Sequence, residues 1–247
     1  MYGCTIIFKQ LIMAVSVNTV YQRVLAIANK EQRGYVTPQE FNLFANQAQM
    51  DIFEQYFYDI NQFNRAPGND TEYSNMLDLL NEKIAIFQKY LQDVSMSGSI
   101  GTIPADVYRL GSVQYVGDTY PIEIDEVRLN DVIDLEKSPL TRATTSRPYY
   151  IRLTKTTIKI YPSTLADSSS IVCNYVDKPT TVSWAYTVVN NQALYNSANT
   201  VDFELHESEE TELVLKILEL AGVSIKEPQL YQVASQEEIK KLQQEKA

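Results

Sequence analysis

At 247 residues the chain is long enough for one large or two small domains with a real core. Its 21 Lys and Arg against 31 Asp and Glu give a formal net charge of −10 and a pI near 4.7. That balance excludes a broad phosphate-binding surface, which needs clustered bases, though an acidic chain can still lie beside DNA that must slide past without sticking. Only two cysteines are present, Cys4 and Cys173, too far apart in sequence for a CxxC pair. A zinc site or a disulfide framework is thereby set aside; a single bridge stays open, and two reduced thiols are the favoured reading.

The opening "MYGCTIIFKQLIMAVSVN" has the look of a secretory leader, but Lys9 and Gln10 split its apolar run. A leader needs roughly 7–15 apolar residues followed by a small-residue cleavage site. We read residues 1–17 as an N-terminal extension, with Met13 an alternative start that would leave 1–12 upstream. No stretch approaches the roughly 18 apolar residues of a membrane span.

Helical spacing follows. Val20, Val24, Leu25 and Ala28 predict a first helix, and Phe41, Phe44, Ala45, Ala48, Ile52, Tyr56, Ile60 and Phe63 a second that begins after Pro38. Between them "NKEQRGYVTPQEF" mimics a calcium loop, with Asn29 first, Gly34 sixth, Thr37 ninth and Glu40 twelfth. Arg33 at the fifth position sets a permanent cation where an oxygen ligand belongs, leaving Glu31 and Glu40 as the only acids. The same residues make an ordinary boundary: Gly34 closes one helix, Thr37 caps the next, Pro38 takes its first turn and Glu40 completes a T-x-x-E capping box. We read a turn, not a metal site.

"NRAPGND" (64–70) breaks the second helix. Leu77, Leu80, Ile84, Phe87, Leu91 and Val94 alternate spacings of 3 and 4, predicting a third helix over 71–94. "SMSGSIGTIP" (95–104) reads as a linker. Beyond it the period becomes 2: "VYRLGSVQYV", "YPIEIDEV", the hairpin "YYIRLTKTTIKIYP" turning near Lys155, and "SIVCNYVDKP". Helix returns in "SEETELVLKILELAG", with Ser208 as cap, Glu209, Glu210 and Glu212 in the first turn, and Gly222 as its stop.

The predicted class is α+β. An antiparallel helical bundle (18–97 and 205–222) carries an inserted antiparallel β-sandwich or barrel (98–204), and a charged tail follows (223–247).

Site chemistry is scarce. His206, the only histidine, lies in "ELHESEE" without a G-x-S-x-G partner, so a capping role outweighs catalysis. Glu123 and Asp125 in "EIDE" would offer a carboxylate pair, but alternation with Ile122 and Ile124 marks a solvated sheet face. No phosphate-binding glycine loop and no H-E-x-x-H occurs. The sequence therefore predicts no enzyme, no catalytic residue, no metal and no cofactor. Seventeen tyrosines lean modestly toward protein contacts, while the single Trp184 argues weakly against a sugar-binding sandwich.

Several segments in the same order carry a resemblance: "VNTVYQRVLAIANKEQRGYVTPQEFNLFANQAQMDIFEQYF", "IPADVYRLGSV", "IKIYPST", "VCNYVDKP" and "VDFELHESEETELVLKILELAG". Together, over roughly residues 13–222, the chain resembles head–tail adaptor or neck ring proteins of crAss-like and related short-tailed phages. The resemblance implies a structural virion protein at the portal vertex, present in host cytoplasm during assembly. It also implies a ring of copies of itself, twelve-fold on that pattern, meeting the portal protein and a tail or second ring protein. DNA would cross the lumen unbound, and no membrane is involved. On this view Ile225, Leu230, Tyr231, Val233, Ile239 and Leu242 form a docking tail that orders on a partner. The alternative is a virion-surface β-sandwich that binds a host glycan or receptor.

Overall fold

The computed structural model describes residues 15–30, 36–65, 71–116, 120–165, 170–190, 192–224, 236 and 240. In chain order come α1 (Val17–Lys30), α2 (Pro38–Arg65) and α3 (Thr71–Ala85), then β1 (Gln88–Asp93), β2 (Ser95–Ser97), β3 (Ile100–Thr102), β4 (Val107–Val116) and β5 (Pro121–Glu126). A short helix α4 (Val132–Lys137) precedes β6 (Tyr149–Arg152), β7 (Thr157–Tyr161) and β8 (Ile171–Asp177). The hairpin β9 (Tyr186–Val189) and β10 (Gln192–Tyr195) leads to α5 (Glu210–Ser224). The protein is thus mixed α and β, in two compact units: Met1–Ile86 with Pro179–Ala247, and Phe87–Lys178.

In the first unit, α2 buries Phe41, Ala45, Ala48, Ile52, Phe53 and Tyr56, a stripe at spacings of 3 and 4. It packs on both α3 and α5, and α1 packs on α5 through a face that includes Val20, Val24 and Ala28. The predicted capping box is present. Thr37 N donates to Glu40 Oε2 at 3.0 Å and Glu40 N to Thr37 Oγ1 at 3.3 Å, satisfying donors that open the helix. Leu213, Val214, Ile217 and Leu218 of α5 are buried, as its apolar composition predicts. The helix runs past the expected stop at Gly222 to Ser224.

The second unit is one eight-stranded sheet, in the order β1-β8-β4-β5-β6-β7-β3-β2. Every pair is antiparallel except β5 with β6. Its edge strands β1 and β2 are consecutive in the chain, joined through Val94, whose N–H donates to the Ile171 carbonyl at 3.0 Å. The sheet therefore curls back until one stretch of chain, 88–97, supplies both edges, which nearly closes a barrel. Val94, Ile103, Val113, Ile124, Ile158, Ile160, Ile171 and Cys173 fill the interior. Gly101 makes that closure fit: a Cβ there would stand 2.7 Å from Val94 Cγ1 and 2.9 Å from Met96 Sδ.

Four sequence expectations are corrected. The third helix ends at Ala85, not at 94, and residues 88–93 pair with β8 instead. The glycine-and-serine stretch taken as a linker supplies β2 and β3, turning at Gly98 with φ +59°. Residues 179–204, assigned to the β-domain, belong to the helical unit. The fourth correction concerns β5 and β6. Being parallel, they need a crossover, which residues 127–148 provide, in place of the purely antiparallel sandwich or barrel expected.

Candidate functional site

The crossover is the most elaborated surface of the second unit. Glu136 is its hub, with Oε1 accepting from Tyr149 Oη at 2.6 Å and from the Ala143 N–H at 3.5 Å. Arg142 donates to the Glu136 carbonyl, and Arg147 donates to the Leu140 carbonyl at 3.2 Å. Beneath, Val132, Ala143, Tyr149 and Ile151 form a small core of their own, and Tyr149 stacks on Tyr161 at 5.2 Å. Burial, reinforced by Glu136, pushes the Tyr149 hydroxyl well above its ordinary pKa, so it stays a donor. Next to it burial and Glu126 push Tyr150 up to about 12, with Arg152 opposing.

This scaffold holds three large apolar side chains out to solvent: Leu129, Ile133 and Leu140 are 61 %, 64 % and 81 % exposed. Scattered exposed leucines are normal, but a cluster on one braced excursion marks a contact surface. The sequence that carries them is rich in bases. From 127 to 160 the chain has seven Lys and Arg against three Asp and Glu.

A second feature lies where β1 and β4 both bulge beside β8. Leu91 takes φ +49°, and its N–H donates to Asn174 Oδ1 at 2.8 Å, while Asn174 Nδ2 donates to Ser112 Oγ at 3.0 Å. Gly111 lies so close that a Cβ would come within 2.9 Å of the Asn174 carbonyl. The result is a shallow groove of about 360 Å³ with a mixed polar and apolar lining, including Gln88, Lys89, Tyr90, Ser112, Asn174 and Val176. Bulges of this kind re-aim side chains and terminate pairing.

The helical unit offers an apolar groove of about 310 Å³ between α1 and α5, lined by Arg23, Ala26, Ile27, Thr211, Val214 and Leu215. Elsewhere in that unit Trp184 is buried against Tyr21, Tyr186 and Tyr195, and its Nε1 donates to Asn18 Oδ1 at 3.1 Å. Every polar atom of that indole is occupied, so the cluster is packing.

The residues singled out by sequence fare unevenly. His206 caps the 3-10 turn ahead of α5, where its ring nitrogen accepts from Ser208 N at 3.3 Å. Glu123 and Asp125 stand exposed on β5 while Ile124 is buried. The acids and Arg33 of the calcium-like loop lie outside the described residues, Glu40 excepted, and Glu40 is committed to its cap. Ile225, Leu230, Tyr231, Val233, Ile239 and Leu242 also lie outside them. Among the described residues no group of His, Cys, Asp and Glu is arranged to hold a metal ion, and no helix is long and apolar enough to cross a membrane.

Sequence reasoning missed Leu129, Ile133 and Leu140. The signal available was "RLNDVIDLEKSPL", a run too short for a periodic face yet carrying large apolar residues among charges. No family model matches the chain, and no curated protein matches it.

Proposed function

We propose that this protein is a structural adaptor of a tailed-phage virion, forming a ring between portal and tail and continuing the channel through which DNA passes. The observation that carries the reading is the set of large apolar side chains displayed at the surface of both units: Leu43 and Leu79 on the helical unit, Leu129, Ile133 and Leu140 on the other. Such side chains are what a self-assembling chain buries against neighbours. The ordered sequence resemblance supplies the class of assembly. A net charge of −10 suits a lumen that repels phosphates. A closed helical bundle with an inserted barrel is the architecture this reading adopts, supported by the packing of α1 and α2 on α5.

In this assembly the tail residues Ile225, Leu230, Tyr231, Val233, Ile239 and Leu242 dock on the portal. Electron microscopy of the purified protein mixed with its portal tests the function. Added ring density at the portal mouth is expected, and its absence overturns the reading.

The groove around Asn174 favours one other reading, a surface module for a host glycan, because exposed Tyr90 stands beside the hydrogen-bonding groups of Gln88, Ser112 and Asn174. Glycan-array binding by the intact protein, lost in Tyr90→Ala, would favour it over the adaptor.

A further inference from the structure

The two units differ sharply in charge. Met1–Ile86 with Pro179–Ala247 carries 11 Lys and Arg against 20 Asp and Glu, whereas Phe87–Lys178 carries 10 against 11. Seven of the second unit's ten bases lie between residues 127 and 160, the crossover and the β6–β7 hairpin, a stretch that also exposes Leu129, Ile133 and Leu140. Some are committed locally: Arg152 pairs with Glu126 at 3.1 Å, and Lys137 with Asp134 at 3.5 Å. Arg128 and Lys155 have no ion pair among the described residues. On the helical unit, α3 presents the opposite chemistry. Its Asp78 and Glu82, four residues apart and so on one face, are exposed around Leu79, itself 52 % exposed.

The crossover and hairpin offer exposed apolar knobs with bases outside any ion pair among the described residues, and the α3 face offers acids around an apolar centre. We infer that they meet between copies: the crossover surface of one molecule docks on the α3 face of the next, joining copies head to tail. Resting on the ring reading above, this inference adds which surfaces make the lateral contact. A head-to-tail contact uses two different patches of the same chain, and repetition of one such contact generates either a ring or a filament. Charge segregation of this sort favours that register. Pairing crossover with crossover, or α3 with α3, would set like charges together, which is disfavoured. The apolar residues supply the buried centre, and the charges set orientation and approach. A nucleic-acid role for the bases fits less well, since three large apolar side chains crown the same surface.

The experiment is sedimentation velocity on the full-length protein at low and high salt. Assemblies larger than a monomer are expected, weakened by salt because exposed charges take part. Ile133→Asp with Leu140→Asp should leave circular dichroism and Tm unchanged, both side chains being solvent-facing, and should reduce the protein to monomer. Arg128→Glu and Asp78→Lys should each weaken assembly about tenfold or more, and mixing the two single variants should restore a contact between them. Assemblies untouched by all these changes overturn the inference while leaving the ring reading in place. A wild type that stays monomeric at every concentration, and adds no density at the portal, overturns both. If Arg128→Glu abolishes binding of an oligonucleotide but not assembly, the surface serves nucleic acid and the inference falls.

Discussion

Asn46 on α2 grips Val182 from both sides: its Nδ2 donates to the Val182 carbonyl at 2.9 Å and its Oδ1 accepts from the Val182 N–H at 2.8 Å. One turn earlier Asn42 does the same to Trp184, at 3.3 and 2.8 Å. Gln49 extends the ladder, donating to the Thr180 carbonyl at 2.8 Å and accepting from the Glu204 N–H at 3.3 Å. A helix face thus hydrogen-bonds an extended segment as a neighbouring strand would.

That arrangement sets the first prediction. Asn46→Leu leaves the Val182 N–H and carbonyl without their partners, and a buried unsatisfied group costs about 1–3 kcal/mol. We expect a loss in that range by urea denaturation of the intact protein. Asn46→Asp keeps the acceptor but turns a carboxylate oxygen onto the Val182 and Asn42 carbonyls, so it should lose more. Equal losses for the two variants would show that amide volume, not hydrogen bonding, matters at this position.

Gly101 gives the second. Its missing Cβ lets β3 pass Val94, Met96 and Ile158, with would-be contacts of 2.7, 2.9 and 3.2 Å. Met96 can swing away, but Val94 and Ile158 belong to the barrel interior. Gly101→Ala should cost about 1–3 kcal/mol by overpacking. Adding Val94→Ala should recover part of the loss, because the two changes share one space. Simple additivity of the two, read from thermal unfolding, would refute close packing there.

These residues also show what could be read from sequence alone. The α2 stripe, the Thr37–Glu40 box, the strands β4, β5 and β8 and the alternation of β7 are local patterns, and each is where the sequence places it. The misplaced third helix has a physical cause. Phe87 and Val94 are buried at helix-like spacing, but they flank β1, the strand that closes the barrel, and a bulge around Leu91 offsets its period of 2. Residues 179–204 were equally opaque. What holds them to α2 is a set of hydrogen bonds between residues more than 130 apart, and no local periodicity announces those. The crossover surface was hidden because exposed apolar residues look like core ones until burial is known.

Lys83 and Glu209 supply the third prediction. Their 2.6 Å ion pair joins α3 to the turn before α5, with the Glu209 side chain only 3 % exposed and that of Lys83 23 %. Removing one partner of a buried pair costs about 3–5 kcal/mol, and the partial exposure of Lys83 places Lys83→Met toward the lower end. Lys83→Met combined with Glu209→Gln should recover part of that, since the carboxylate that Lys83 faced is then neutral. A double variant as unstable as the single would mean that the shape of Lys83, not its charge, holds α3 in place.

The last prediction concerns alkaline pH. Three tyrosine hydroxyls of the second unit are pushed above their ordinary value of 10.0, each chiefly by burial and then by a carboxylate: Tyr149 by Glu136, Tyr150 by Glu126 and Tyr175 by Asp106. Because the folded state holds these protons more tightly than the unfolded chain, the unfolded state gives them up first as pH rises. Their stabilising effect is therefore complete below about pH 10 and drains away as pH climbs through the folded value, about 12 for Tyr150. Tyrosinate absorbance of the intact protein should show a late component, these three hydroxyls ionising only as the sheet opens. Tyr175→Phe should remove one late-titrating ring and lose the 3.2 Å bond to Asp106. A single ordinary titration of every ring, with native circular dichroism retained, would show that the three hydroxyls are not held by their carboxylates.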